Sequence, residues 1–235
     1  MRFATAAQPD LLAALAALLE YPGADFDRRL AAAVGTTRAG YQAPSASGAG
    51  ESAIPEEQPL ARFAAAMAAL PRGVREELHA ATFEITPACV PYLSIHLFGE
   101  ENYQRGVFMA ALRQRYQETQ FEAGDELPDH LAVVLRYAAV AGPEEARELS
   151  EYCLLTPVSR LISGLSTANP YRDLLAAIAA ALESRFPGVS GAPLPVEQMR
   201  HHGDATCSGA HDRACSGGRC ASSGPFADRP DPRGD

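Results

Sequence analysis

Between Asp10 and Phe186 the apolar residues of this chain repeat at helical spacing. No stretch alternates apolar and polar residues as a half-buried strand would. Leu11, Leu12, Leu15, Leu18 and Leu19 fall on one helical stripe, as do Leu60, Phe63, Met67 and Leu70, and again Leu174, Leu175, Ile178 and Leu182. Alanine, the strongest helix former, fills the positions between them (LLAALAALLE, FAAAMAAL, LLAAIAAALE). This pattern constrains the chain to an all-α fold. Mostly short connections between the segments predict a single compact multi-helix bundle. The 235 residues suffice to bury a real core, and 47% hydrophobic with 21% charged residues is a globular composition.

Proline and glycine divide the pattern into elements. Asp10 caps a first helix that runs to Tyr21 and stops at Pro22–Gly23. A second runs from Ala24 to Val34 and ends at Gly35. Residues 36–56 are rich in Gly, Ser, Ala and Pro and read as a mobile loop. Helices follow over 57–70 and 72–83, split by Pro71. Pro87 and Pro91 bracket an irregular segment. A long helix over 100–120 carries the stripe Tyr103, Val107, Ala111, Leu112 and Tyr116, and Gly124 interrupts the chain after it. Pro128 suits the first turn of the next helix, where a missing N–H costs little. That helix turns Leu131, Val134, Leu135 and Ala138 inward. Residues 144–165 are helical with a kink near Pro157, and 171–186 form the last helix. The helical domain spans 1–186. From Pro187 the periodicity vanishes among Gly, Ser, Pro, Asp and Arg, which predicts a disordered tail over 187–235.

Charge narrows the partners. Acidic residues outnumber basic ones 29 to 20, and every basic residue is Arg. A formal charge of −9 argues against nucleic acid, which needs a basic stripe, and suits a basic peptide. The apolar run Leu11–Leu19 is too short to span a membrane and reads as a core helix, not a signal peptide. The expectation is a cytoplasmic protein without stable membrane insertion. An odd cysteine count, five, argues for reduced thiols.

The unusual residues gather between Pro87 and Ala141, in YLSIHLFGE (Tyr92–Glu100) and ELPDHL (Glu126–Leu131). Tyr92, Leu93, Leu97 and Phe98 are candidates to line an apolar pocket, with Ser94 and His96 as polar groups; core packing is the competing reading. Gly99 suits a tight turn with an unusual backbone angle. Arg105 stands four residues from Glu101, a pairing distance on a helix, and Gly106 suggests close approach of another element. Asp129–His130 invites an acid–base reading. Consecutive helical residues point apart, however, and Asp129 in a first turn satisfies free N–H groups. Capping and a binding surface therefore outweigh catalysis. No phosphate loop, nucleophile elbow or zincin motif occurs.

A second cluster lies in the tail. Cys207, His211 and Cys215 are each four residues apart, with Cys220, His201 and His202 nearby. Thiolate and imidazole suit Zn²⁺. The spacing matches no established zinc module, so the cluster reads as a weak or adventitious site. A metal-handling accessory protein is the alternative function.

PYLSIHLFGE, the Arg105–Gly106 pair with its apolar helix, and ELPDHLAVVLRYAA together resemble the redox-enzyme maturation chaperones of the NarJ/TorD group. The likeness is greatest to the nitrate reductase delta-subunit branch. It is specific over 87–141, weaker over 10–186, and leaves out 36–56 and the tail. The resemblance implies an all-helical bundle with no enzymatic activity and no cofactor of its own. It implies a chaperone for a molybdenum oxidoreductase of the dimethyl sulfoxide reductase type. Such a chaperone binds the N-terminal segment of the catalytic subunit, often a twin-arginine signal, during insertion of the molybdenum cofactor. Its partners are that subunit and the cofactor-delivery machinery. By the same resemblance, Tyr92, Ser94, His96, Phe98, Glu100, Arg105, Glu126, Pro128, Asp129 and His130 border the client groove.

Overall fold

The computed structural model describes residues 10–41, 58–84 and 87–197. It is all helical among the described residues, as the periodicity demands. The elements are α1 (Leu11–Ala16), α2 (Phe26–Tyr41), α3 (Pro59–Ala68), α4 (Arg72–Phe83), α5 (Leu93–Phe98), α6 (Gln104–Glu118) and α7 (Leu131–Val140). Then come α8 (Pro143–Leu149), a π turn (Ser150–Leu154), α9 (Leu155–Gly164) and α10 (Tyr171–Arg185).

α7 is the central helix. Leu131 through Leu135, Tyr137 and Ala138 are all buried, as expected of a helix that is apolar nearly all round. α1 packs against α7, α2 and α10, and α10 also packs against α3 and α9. Alanines make the α1 contact close, since Ala14 and Ala16 are buried on it. Asp10 caps α1 as expected, its Oδ1 accepting from Leu12 N at 2.8 Å.

The helix ends differ from the periodicity for physical reasons. α1 gives way to tight turns after Ala16 and does not run to Tyr21. Arg29 on α2 donates to the carbonyls of Ala17 and Tyr21, and His79 on α4 bonds that of Leu19. Those carbonyls are satisfied from outside the helix. α2 continues through Gly35 to Tyr41, so helix occupies the start of the segment read as a loop. Thr36 and Thr37 bond back to the carbonyls of Ala32 and Ala33 there. The remainder of that segment lies outside the described residues.

α6 is rotated from the expected stripe. Phe108, Leu112 and Tyr116 face the core, whereas Tyr103 is 75% and Val107 48% exposed. Asn102 sets the phase: its Oδ1 accepts from Gln104 N at 2.9 Å, and its amide donates to Phe98 O at 3.2 Å. Gly99 does take a left-handed φ of 89° at the turn before α6. Gly106 has no neighbour within 4 Å of where a Cβ would stand, so close approach does not explain it.

The kink expected near Pro157 is a π turn that ends three residues before it, at Leu154. Proline lacks an N–H, and a π turn shifts the ladder by one residue, so carbonyls there look elsewhere for donors. The chain beyond α10 supplies one. Ala192 N donates to Glu151 O at 2.8 Å, and Thr156 Oγ1 donates to Ala192 O at 2.8 Å. Leu194 is 1% exposed, Val196 packs on the core beside Gly99, and Glu197 pairs with Arg160. The packed body therefore extends to Glu197 and does not stop at Phe186. Periodicity misses this strap because residues 191–194 are irregular, the helical residues 195–197 make less than one turn, and Leu194 and Val196 are too few apolar anchors to set a period.

Candidate cleft between the two motifs

The two motifs meet. Leu93 N donates to Asp129 O at 2.9 Å, and Leu131 N donates to Pro91 O at 2.8 Å. These bonds flank an antiparallel bridge between Tyr92 and His130. The chain entering α7 is thus tied to the chain entering α5. For this reason α7 starts at Leu131, with Pro128 and Asp129 ahead of the helix.

Asp129 is fully buried and turns toward α5. Its Oδ2 accepts from Ser94 Oγ at 2.5 Å and from Ser94 N at 3.3 Å. Arg105 Nε donates to the same Ser94 Oγ at 3.0 Å, and its guanidinium also donates to Glu100 O at 2.7 Å. Arg105 therefore pairs with this network and not with Glu101. A buried carboxylate needs such partners, because desolvation without them costs several kcal/mol. Asp129 Oδ1 has no hydrogen-bond partner. Pro128 is also enclosed, its carbonyl accepting from Tyr116 Oη at 2.8 Å.

His130, not Asp129, is the cap of α7. Its Nδ1 accepts from Ala132 N at 3.2 Å, which leaves the proton on Nε2. Burial lowers the His130 pKa, and Arg136 and His79 lower it further against the opposing Glu126 and Asp129. Asp129 and His130 are thus engaged separately, one under α5 and one at α7. No hydrogen bond joins them as an acid–base pair.

Tyr92 and His130 stack edge to face, with centroids 5.5 Å apart, and both line a cleft of about 170 Å³. Its other walls come from the turn after α1 (Leu19, Glu20, Tyr21), from α4 (His79, Phe83, Glu84) and from α7 (Ala132, Val133, Arg136), with Pro91 and Glu126 beside the bridge. Burial raises the Tyr92 pKa, and the nearby Glu126 and Asp129 add to it. The walls are aromatic and mainly acidic: Glu20, Glu84 and Glu126 against the single cation Arg136.

The expected groove residues therefore separate by position. Tyr92, Glu126 and His130 line this cleft. Ser94, Pro128 and Asp129 form the buried support behind it, braced by the half-buried Arg105, which Glu100 joins through its carbonyl. His96 donates through Nε2 to Val90 O at 2.8 Å, and burial lowers its pKa. Phe98 packs on Phe108 at 5.8 Å between centroids. His79, Glu84, Tyr21 and Arg136 were not singled out from sequence. They come from segments distant in the chain, and a single histidine on a mostly polar helix gives no local signal of its burial.

No group of three His, Cys, Asp or Glu side chains that could hold a metal occurs among the described residues. Cys207, His211, Cys215 and Cys220 lie outside them. Cys89 and Cys153 are free and buried, and burial pushes both thiols up to about 12. Among the described residues no helix is long and apolar enough to cross a membrane.

A relative from Bacillus subtilis (strain 168), the probable nitrate reductase molybdenum cofactor assembly chaperone NarJ, is 33% identical over 105 residues. That match covers 44% of this chain and 56% of the relative, little more than half its length. Residues 52–184, which contain both motifs, match the family described as nitrate reductase delta subunit. The chain belongs to that nitrate reductase delta subunit family, within the NarJ/TorD group.

Proposed function

We propose that this protein is a dedicated, non-catalytic chaperone for the catalytic subunit of a molybdenum oxidoreductase, a nitrate reductase or a relative of the dimethyl sulfoxide reductase type. In this reading it binds the N-terminal segment of that subunit in the cytoplasm and holds it while the molybdenum cofactor is inserted. The cofactor is the client's cargo and is not held by this chain.

The observation that carries the reading is the cleft joining the two motifs. Its aromatic walls suit an apolar stretch of peptide, and three carboxylates against one guanidinium suit basic residues beside it. Twin-arginine segments combine both features. The separate engagement of Asp129 and His130 supports a binding role over hydrolysis.

The test is calorimetric titration of the full chain with a peptide from the start of the client subunit. Glu126→Lys together with Tyr92→Ala is expected to weaken binding by about tenfold or more, equivalent to about 1.4 kcal/mol. Raising the salt should weaken it further through screening. Unchanged affinity in the double variant would remove the cleft from the reading. Failure of the chain to copurify with any molybdenum oxidoreductase subunit would remove the chaperone role.

A further inference from the structure

The deep end of the cleft holds a buried acceptor with nothing to accept. His79 is 5% exposed, and its Nε2 lies 3.1 Å from Leu19 O. A carbonyl only accepts, so Nε2 carries the proton and a neutral ring leaves Nδ1 as a bare lone pair. Nδ1 has no hydrogen-bond partner. Its nearest ionisable neighbour is Glu84 Oε1 at 3.4 Å, which is also an acceptor. Glu84 is half exposed and open to water, so the group without a partner is His79 Nδ1; in a neutral ring it calls for a donor, since a buried polar group left unpaired is costly, and Glu84 stands ready to share that donor.

The surroundings specify the donor. Tyr21 and Phe83 stand at 5.6 and 5.1 Å from the His79 ring, centroid to centroid, and both line the cleft. Glu126 stands on the opposite wall. Glu20 is shared with Arg29 at 3.4 Å and contributes less. Arg136, the one cation of the lining, is anchored by donation to Ala123 O at 2.8 Å. A ligand here must donate more than one hydrogen bond, carry positive charge and tolerate aromatic rings. A volume of about 170 Å³ is below the roughly 300–1,000 Å³ of small-molecule sites and suits one side chain. A guanidinium meets all of these conditions: its planar fork spans two acceptors and packs on rings, whereas an ammonium is a compact, strongly hydrated point charge.

We propose that His79 Nδ1 and Glu84 form a receptor for a single arginine side chain of the bound segment, closed by Tyr21 and Phe83. The proposal rests on the reading of the cleft as a peptide site and names the residue that enters its deep end.

The test uses the full chain with nitrogen-15-labelled histidine and three probes: the N-acetyl amides of arginine, lysine and citrulline. The arginine probe is expected to move the His79 Nδ1 resonance near neutral pH. Neutral citrulline should leave it in place, and lysine should bind more weakly than arginine. Glu84→Gln should weaken the arginine response by about tenfold or more. Glu183→Gln, an exposed change on α10, should leave it unaltered. The proposal is overturned if Nδ1 already carries a proton in the free protein, if citrulline matches arginine, or if Glu84→Gln binds arginine as well as the parent. Client-peptide titration of the same preparations separates the two readings. Peptide binding without an arginine response sinks this receptor alone, and an arginine response without peptide binding sinks the chaperone reading.

Discussion

At the residue scale, the energetics centre on Asp129. Its carboxylate is buried and held by Ser94, with Arg105 behind. Hydrogen bonds to a charged group contribute about 1.5–3 kcal/mol each. Asp129→Ala is therefore expected to lower the unfolding free energy by about 2–3 kcal/mol in urea titration. A double-mutant cycle with Ser94→Ala should show the two losses to be far from additive. The histidines give stability a pH dependence of defined sign. Burial depresses the folded-state pKa of both His96 and His130, so the unfolded chain binds their protons first. Stability should be full above the unfolded value of about 6.5 and fall as pH drops below it. His130→Asn keeps a capping side chain on α7 and removes one of the two titrations. It should flatten the fall in thermal midpoint between neutral and mildly acidic pH; an unchanged slope would discount His130 as a source.

At the scale of elements, the strap over the π turn is the feature a sequence reader passes over. Gly191 sits so close to α9 that a Cβ would stand 2.3 Å from Thr156 Oγ1 and 2.8 Å from Thr156 N. The second neighbour is backbone and cannot rotate away. Gly191→Val is expected to release residues 191–197 and forfeit the burial of Leu194, about 1.5–3 kcal/mol for such a side chain. Faster amide exchange at Ala192, with α1 and α7 unaffected, would mark local release; exchange unchanged at Ala192 would show that the strap does not depend on that contact. Legibility varied among the elements for related reasons. The sequence delimits α4 to its ends and α3 and α10 nearly so, because a proline stands at or just before the start of each and α3 and α10 carry a clear apolar stripe. α1 was overextended because its last carbonyls are taken by Arg29 and His79, which sequence cannot place beside them.

At the scale of the whole molecule, charge and fold act together. The chain carries a formal charge of −9, yet the proposed recognition surface depends on the few carboxylates that the bundle brings into the cleft. Glu101 is exposed, and Asp129 is withdrawn beneath α5, so overall acidity alone misplaces the attraction. Long-range steering should follow net charge and fade as the salt approaches physiological ionic strength, where the Debye length is about 8 Å. Association rates of a basic client peptide should therefore fall with salt more steeply than dissociation rates rise. Stopped-flow measurements over a salt series check this, and a salt effect confined to dissociation would rule steering out.

The amino-acid sequence by itself determined the fold class, the helices other than α5, which it reads as irregular, and the two motifs as the unusual part of the chain. Those are local properties: propensity, apolar period and punctuation act within a few residues of one another. Only the tertiary structure decided which motif residues face the cleft and which lie behind it. That choice depends on pairings between distant segments, Leu93 with Asp129, Leu131 with Pro91 and His79 with Leu19, whose energies exist only once the helices have packed.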